Sequence, residues 1–145
     1  MVLNPSINLL LVLGAAMSAV AALLHYLCIF AGAPAFKALG AGERFVTLAA
    51  RGNAYPAFVA FSIGSVLTVC AAYALSGAGL LFPLPWLRWV LLMYSGVLLV
   101  RAVAFPLLRR VIRGNSTTFW WTSSALCFAI GAVHAIGLQQ VWTRL

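Results

Sequence analysis

Four long apolar runs dominate this chain of 145 residues and restrict it to one class of fold. The runs cover about residues 6–30, 55–75, 86–108 and 117–141. Each run is near the length of about 20 residues that an α-helix needs to cross roughly 30 Å of hydrocarbon. Lipid offers the backbone no hydrogen-bond partners, so such a span has to be helical. The sequence therefore predicts an all-α, polytopic membrane protein, a single domain over residues 1–145 that forms a bundle of four transmembrane helices.

Charge supports the same class. Only 7% of the residues are charged, whereas a soluble domain carries about 25%, and the mean hydropathy is +1.09. Nine Lys and Arg against one acidic residue give a net charge of +8. In a soluble protein this excess would suggest a nucleic-acid partner. Here the basic residues flank the apolar runs, so membrane topology explains them and we expect no nucleic-acid partner.

The distribution of basic residues predicts the orientation of the helices. The connectors after the first and third runs carry six basic residues, whereas the opposite side carries two, Arg88 and Arg144. The positive-inside rule places the richer side in the cytoplasm. We therefore expect a multi-pass protein of the cell inner membrane with both termini in the periplasm. The six residues are Lys37, Arg44, Arg51, Arg109, Arg110 and Arg113.

The near absence of acidic side chains excludes much chemistry. The chain has no aspartate, and its one glutamate, Glu43, lies in a connector. Carboxylate pairs for glycoside hydrolysis, acidic clusters for Mg²⁺ or Ca²⁺, and a proton relay of carboxylates across the membrane are therefore excluded. Cys28, Cys70 and Cys127 fall in three separate runs without CxxC spacing, and we interpret them as small buried hydrophobic residues.

The connector between the first two runs combines helix breakers with amphipathic sequence. Five glycines and prolines interrupt it, while apolar residues alternate with Lys37, Arg44 and Arg51. This mixture is typical of a helix that lies in the membrane interface. We predict such an interfacial helix at roughly Glu43 to Ala50.

Arg101 is the most informative single residue because it lies inside the third run. An arginine costs at least about 2.5 kcal/mol at the bilayer centre and less near the edge. Two interpretations stay open: its side chain extends to the membrane surface, or it points inward and holds an anionic group. Polar residues that we expect at the same depth in the membrane as Arg101 form the candidate site for a ligand or lipid head group in the cytoplasmic leaflet. The site comprises Arg101, Arg51, Asn53, His25, Glu43, Ser123 and Ser124. In the alternative, these residues form a structural network in which Glu43 neutralises one arginine.

The two histidines lie on faces of small residues. Gly14, Ser18, Ala21 and His25 follow helical spacing, as do Ser124, Cys127, Gly131 and His134, and small residues let helices approach closely. Counted from the cytoplasmic end, the depths of His25 and His134 differ by roughly 15 Å. This separation argues against a haem held between them, and we expect neither a metal site nor a cofactor.

Two family resemblances bear on function. His25-Tyr26, Gly32-Ala33-Pro34, Gly42-Glu43-Arg44 and the stretch 73–79 resemble a family of uncharacterised four-span bacterial inner-membrane proteins. This likeness covers most of the chain and implies no known activity. Glu43-Arg44, Arg51, Asn53 and Tyr55-Pro56 are similar to the cytoplasmic-loop pattern of the membrane-associated eicosanoid and glutathione metabolism (MAPEG) family. That resemblance implies glutathione as a cofactor, bound through Arg51 and Asn53.

These observations favour a small membrane protein of the accessory type. We expect it to be non-enzymatic and to bind lipids or anions, with membrane lipids, anionic ones among them, as partners. We also expect a homo-oligomer or a place in a larger membrane complex. Whether it is an enzyme is left open by the residues. The alternatives are a MAPEG-like glutathione-dependent membrane enzyme and a minimal transporter.

Overall fold

The computed structural model of the protein describes residues 7–111 and 114–145, and these residues form helices without any strand. The predicted all-α class is therefore confirmed. The helices are α1 Leu9–Ala31, α2 Ala33–Ala38, α3 Glu43–Ala50, α4 Ala54–Gly77, α5 Leu87–Val103, α6 Phe105–Val111 and α7 Thr117–Val141, followed by a 3-10 turn, Trp142–Arg144. The predicted start of the first span at residue 6 lies outside the described residues, as does Arg113.

Three helices, α1, α4 and α7, are each long and apolar enough to cross a membrane, and α5 with α6 makes a fourth candidate if the pair is one broken span. In the most apolar windows of α1, α4 and α7, only 28%, 33% and 33% of the residues are buried inside the protein. Most apolar side chains on these helices therefore face outward. This is the pattern of a multi-pass membrane protein, whose solvent is lipid.

The third run does not form one straight helix as we expected for residues 86–108. α5 ends at Val103, α6 begins at Phe105, and the two axes differ by 70°. Pro106 explains the break, because proline lacks the N–H that would bond back along the helix and its ring clashes with the carbonyl four residues earlier. The carbonyl of Ala104 instead accepts hydrogen bonds from Leu107 and Leu108, which start the new helix.

Asn8 joins three helices where α1 begins. Its side-chain oxygen accepts a hydrogen bond of 2.8 Å from Leu11 N and so caps α1, while its Nδ2 donates to Gln140 Oε1 on α7. Its backbone N–H donates to Ala78 O, directly after α4. Asn8 is buried. We call this side of the molecule, where α1 and α5 begin and α4 and α7 end, the terminal end.

Glycines at the contacts between the long helices allow these helices to pack closely against one another. α1 packs most extensively with α4, and α5 with α7, while the contacts of α1 with α7 and of α4 with α5 are less extensive. A Cβ at Gly137 would lie 2.9 Å from the side chain of Leu11, and one at Gly64 would lie 2.8 Å from Tyr26. Such contacts drive helix association in lipid, where burial of apolar surface gives little gain.

The remaining connectors meet at the opposite side of the molecule. A Cβ at Gly42 would overlap Asn115 Oδ1, and one at Gly40 would lie 3.2 Å from Phe119, so the α2–α3 connector packs against the start of α7. We call this side, formed by α2, α3, α6 and the first turns of α7, the basic end. The helix predicted at Glu43 to Ala50 is confirmed as α3, with the same bounds.

Candidate functional site

Arg101 lies in the last turn of α5, half-buried against α7. Its guanidinium donates hydrogen bonds of 3.3 Å to Ser124 Oγ and 3.1 Å to Ser123 Oγ. The Cζ atom lies 5.1 Å from the ring centroid of Trp120, within the range of a cation–π contact. The structure thus brings together three residues that the sequence analysis assigned to one site.

Helical spacing on α7 creates this arrangement. Trp120, Ser123 and Ser124 stand three and four positions apart, so they share one face of the helix. Ser116 caps α7 by accepting a hydrogen bond of 3.1 Å from Phe119 N, which fixes the start of the helix and the direction of that face. Trp120 and Ser124 are buried, and the indole N–H of Trp120 finds no acceptor among the described residues.

The surroundings of Arg101 leave its charge uncompensated. The two hydroxyl oxygens and the indole ring that it contacts are neutral. Glu43, the one acidic side chain of the chain, is exposed at the start of α3 and forms no ion pair with any other described residue. The network in which Glu43 would neutralise an arginine is therefore not what the described residues form.

The other predicted site residues take separate local roles. His25 is half-buried on α1, and its Nδ1 lies 2.8 Å from the carbonyl oxygen of Ala21. Arg51 is exposed where α3 ends, and Asn53 caps α4 by accepting a hydrogen bond of 2.8 Å from Tyr55 N. None of these residues is among the polar contacts of Arg101, all of which lie on α7.

Further cations line the basic end. Arg109 is exposed on α6 and donates a hydrogen bond of 3.1 Å to Thr117 Oγ1, which links α6 to the start of α7. Four more basic side chains, Lys37, Arg44, Arg51 and Arg110, are also exposed on the helices of this end or next to them. Arg101 therefore lies at the inner edge of a positively charged surface. Within the described residues, nearly all charged side chains of this surface are positive.

Sequence reasoning missed a buried polar cluster between α1, α5 and α7. His134 is fully buried, and its ring packs at right angles against that of Tyr94, with 4.9 Å between the ring centroids. The Tyr94 hydroxyl lies 2.8 Å from Ser18 Oγ. The His134 Nδ1 lies 2.8 Å from the carbonyl oxygen of Ile130, so it carries the proton, and Nε2 has no partner among the described residues. The small-residue seams signalled the contact, but nothing in the sequence pointed to Tyr94.

The two histidines lie at different levels, as we predicted. His134 packs against Gly14, where a Cβ would lie 2.7 Å from the ring. His25 follows eleven positions later on α1, about 16 Å further along the helix axis. No group of three or more potential metal ligands occurs among the described residues.

The helices and this site define an all-helical protein of the multi-pass membrane type. No protein-family model matches the chain, and neither a curated protein nor a solved structure matches it. Its two family resemblances therefore stay predictions, and its function has to be argued from the site itself.

Proposed function

We propose that this protein binds anionic phospholipid head groups at its basic end and serves as a non-enzymatic accessory protein of the membrane. Arg101 holds the phosphate, and the exposed cations around it attract anionic lipid to the site. In this proposal the basic end faces the cytoplasm, both termini lie in the periplasm, and α2 and α3 lie in the membrane interface. The membrane is the bacterial inner membrane.

The observation that carries the proposal is the neutral environment of Arg101. A half-buried guanidinium in the last turn of a span is costly unless an opposite charge approaches it. Its protein partners are two serine hydroxyls and an indole ring, which orient the group without neutralising it. A guanidinium has more N–H donors than the serines use, and these donors match a phosphate, which accepts them in pairs. Lipid thus supplies the counter-charge that the contacts of Arg101 do not provide.

The exposed cations support the same ligand. Juxtamembrane Lys and Arg residues attract anionic lipid by about 1 kcal/mol each. Arg44, Arg109 and Arg110 are exposed at the same end as Arg101. A diffuse attraction of this kind concentrates anionic lipid around the protein, and Arg101 then selects one molecule by direct hydrogen bonds.

Native mass spectrometry of the protein released from mild detergent tests this function. Wild-type protein should retain phosphatidylglycerol in preference to phosphatidylcholine. Hydrogen bonds to a charged group contribute about 1.5–3 kcal/mol, so Arg101→Gln should weaken binding at this site by roughly tenfold to a hundredfold. Arg51→Gln, which removes an exposed charge at the same end, is the matched control and should weaken binding by about fivefold or less.

A second variant separates orientation from charge. Ser123→Ala combined with Ser124→Ala keeps the arginine but removes both hydroxyls that hold it, and we expect a loss intermediate between the two single variants. Equal lipid retention by wild-type protein and Arg101→Gln would refute the proposal. A trimer that retains added glutathione and no lipid would instead support the enzyme alternative.

A further inference from the structure

A cavity of about 740 Å³ opens at the terminal end, on the side of the molecule away from Arg101. The end of α4, the α4–α5 connector, the first turn of α5 and the last residues of the chain line it. Among these residues are two arginines, Arg88 and Arg144, and two tryptophans, Trp86 and Trp89. Its volume lies within the range of about 300–1,000 Å³ that is usual for small-molecule sites.

A second, apolar space of about 390 Å³ lies in a groove between α4 and α5. Trp89 lines both the cavity and the groove, so the two spaces lie beside the same side chain. The groove wall is apolar on both helices, with Val66 on α4 and Met93 and Val97 on α5. The contact between α4 and α5 is smaller than those of α1 with α4 and of α5 with α7, which leaves this space between the helices.

We propose that the cavity and the groove together bind one anionic phospholipid, with the head group beside Arg88 and an acyl chain along the groove between α4 and α5. This site is separate from the one at Arg101, and the two lie at opposite ends of the helices.

Charge favours an anionic head group in the cavity. Arg88 is half-buried, and its guanidinium stacks over the ring of Trp142 with Cζ 4.9 Å from the centroid, which holds the charge at the cavity wall. Arg144 adds a second basic side chain to the lining. Leu145, which carries an α-carboxylate, also lines the cavity, so the lining holds two guanidinium groups against one carboxylate; Glu43 belongs to the basic end.

The backbone at the cavity wall is arranged unusually. Trp86 has a φ of 57°, the one positive φ found for a non-glycine among the described residues. Such a conformation is strained and persists where its surroundings demand it. The exposed Trp86 ring lines the cavity, and the first turn of α5, which follows it, has neither a side-chain cap nor an acidic residue. The positive end of the helix dipole therefore adds to the field of Arg88.

The dimensions of the groove fit an acyl chain. Trp89 and Val97 are eight positions apart on α5, which corresponds to about 12 Å along the helix. One leaflet has a hydrocarbon depth of roughly 15 Å, half that of the bilayer. The side chains of Trp89, Met93 and Val97 are 55%, 66% and 60% exposed, so an apolar chain in the groove would cover them. A lipid that enters from the leaflet at the terminal end would thus occupy both spaces.

Native mass spectrometry of full-length protein from phosphatidylglycerol nanodiscs tests the head-group position. Arg88→Gln should lose one retained phosphatidylglycerol molecule, at least tenfold in occupancy, while the lipid at Arg101 is kept. Arg101→Gln should show the reverse, and the double variant should lose both. Retention unchanged by Arg88→Gln refutes this second site even if Arg101→Gln releases lipid, so the two proposals can fail separately. Equal retention of phosphatidylcholine at the Arg88 site would also refute it.

Photo-crosslinking tests the acyl-chain position. Phosphatidylglycerol with a diazirine on one acyl chain should label peptides that contain the groove residues of α4 and α5 at least fivefold more than peptides of α1. Val97→Phe should fill the groove and abolish this enrichment. Val100→Phe is the matched control, because Val100 is 64% exposed on the same helix but does not line the groove. Labelling spread evenly over all lipid-facing helices, or equal effects of the two variants, would overturn the proposal.

Discussion

The contact between Gly14 and His134 provides a sensitive test of how closely α1 and α7 pack. In Gly14→Ala, the added Cβ would lie 2.7 Å from His134 Cε1 and 2.9 Å from Nδ1. The ring has little freedom to move aside, because its Nδ1 bonds to the carbonyl of Ile130 and the ring packs at right angles against that of Tyr94. Overpacking of this kind typically costs about 1–3 kcal/mol. We therefore expect Gly14→Ala to lower the free energy of unfolding by this amount, relative to the control below.

Gly96→Ala is the matched control, since Gly96 also lies within a long helix but no atom lies within 4 Å of an added Cβ. There the change should be neutral or stabilising by up to about 1 kcal/mol, the difference in helix propensity between alanine and glycine. The assay is reversible SDS titration in mixed micelles, followed by far-ultraviolet circular dichroism. His134→Ala in the Gly14→Ala background should recover part of the loss, a coupling that a double-mutant cycle measures. Equal stabilities of Gly14→Ala and Gly96→Ala would refute the close packing described above.

Two further changes test local features of the fold. Tyr94→Phe removes the partner of Ser18 Oγ and leaves a buried hydroxyl unsatisfied. The same titration should therefore show a free energy of unfolding lower by about 1–3 kcal/mol. Adding Ser18→Ala should recover much of this loss, whereas additive losses would contradict a direct hydrogen bond. Pro106→Ala restores the missing N–H, so the 70° bend between α5 and α6 should decrease. Distances between spin labels on α5 and α6, measured by electron paramagnetic resonance, should then lengthen. An unchanged distance would show that tertiary packing alone imposes the bend.

The sequence predicted those features that depend on local patterns. Long apolar runs can be recognised without knowledge of packing, and α3 was predicted with its bounds because glycines flank an amphipathic stretch. The contact of Arg101 with Ser123 and Ser124 was predictable because α5 and α7 are consecutive long helices that run in opposite directions. Counting residues from their shared connector places all three at one depth.

The features that could not be predicted depend on whether a side chain interacts with groups close to it in the sequence or with groups on another helix. Arg51 and Asn53 lie at the correct end of the molecule, but one is exposed where α3 ends and the other caps α4. Local helix-end geometry thus determined their positions. The break at Pro106 could have been read from the proline itself, whereas the stacking of Arg101 on Trp120 depends on rotamers that a pattern does not encode.

The uneven packing of the helices has a consequence for how the protein is made. α1 and α4 form one extensive pair, and α5 and α7 form another, so each pair can assemble in the membrane soon after its second helix leaves the translocon. The two pairs are then joined through α1 and α7, the first and last of the long helices described above, and through the contact of α4 with α5. The bond from Asn8 to Gln140 spans nearly the whole chain. The four long helices therefore reach their full packing only after α7 has entered the membrane, because both the α1–α7 contact and the bond from Asn8 to Gln140 require it.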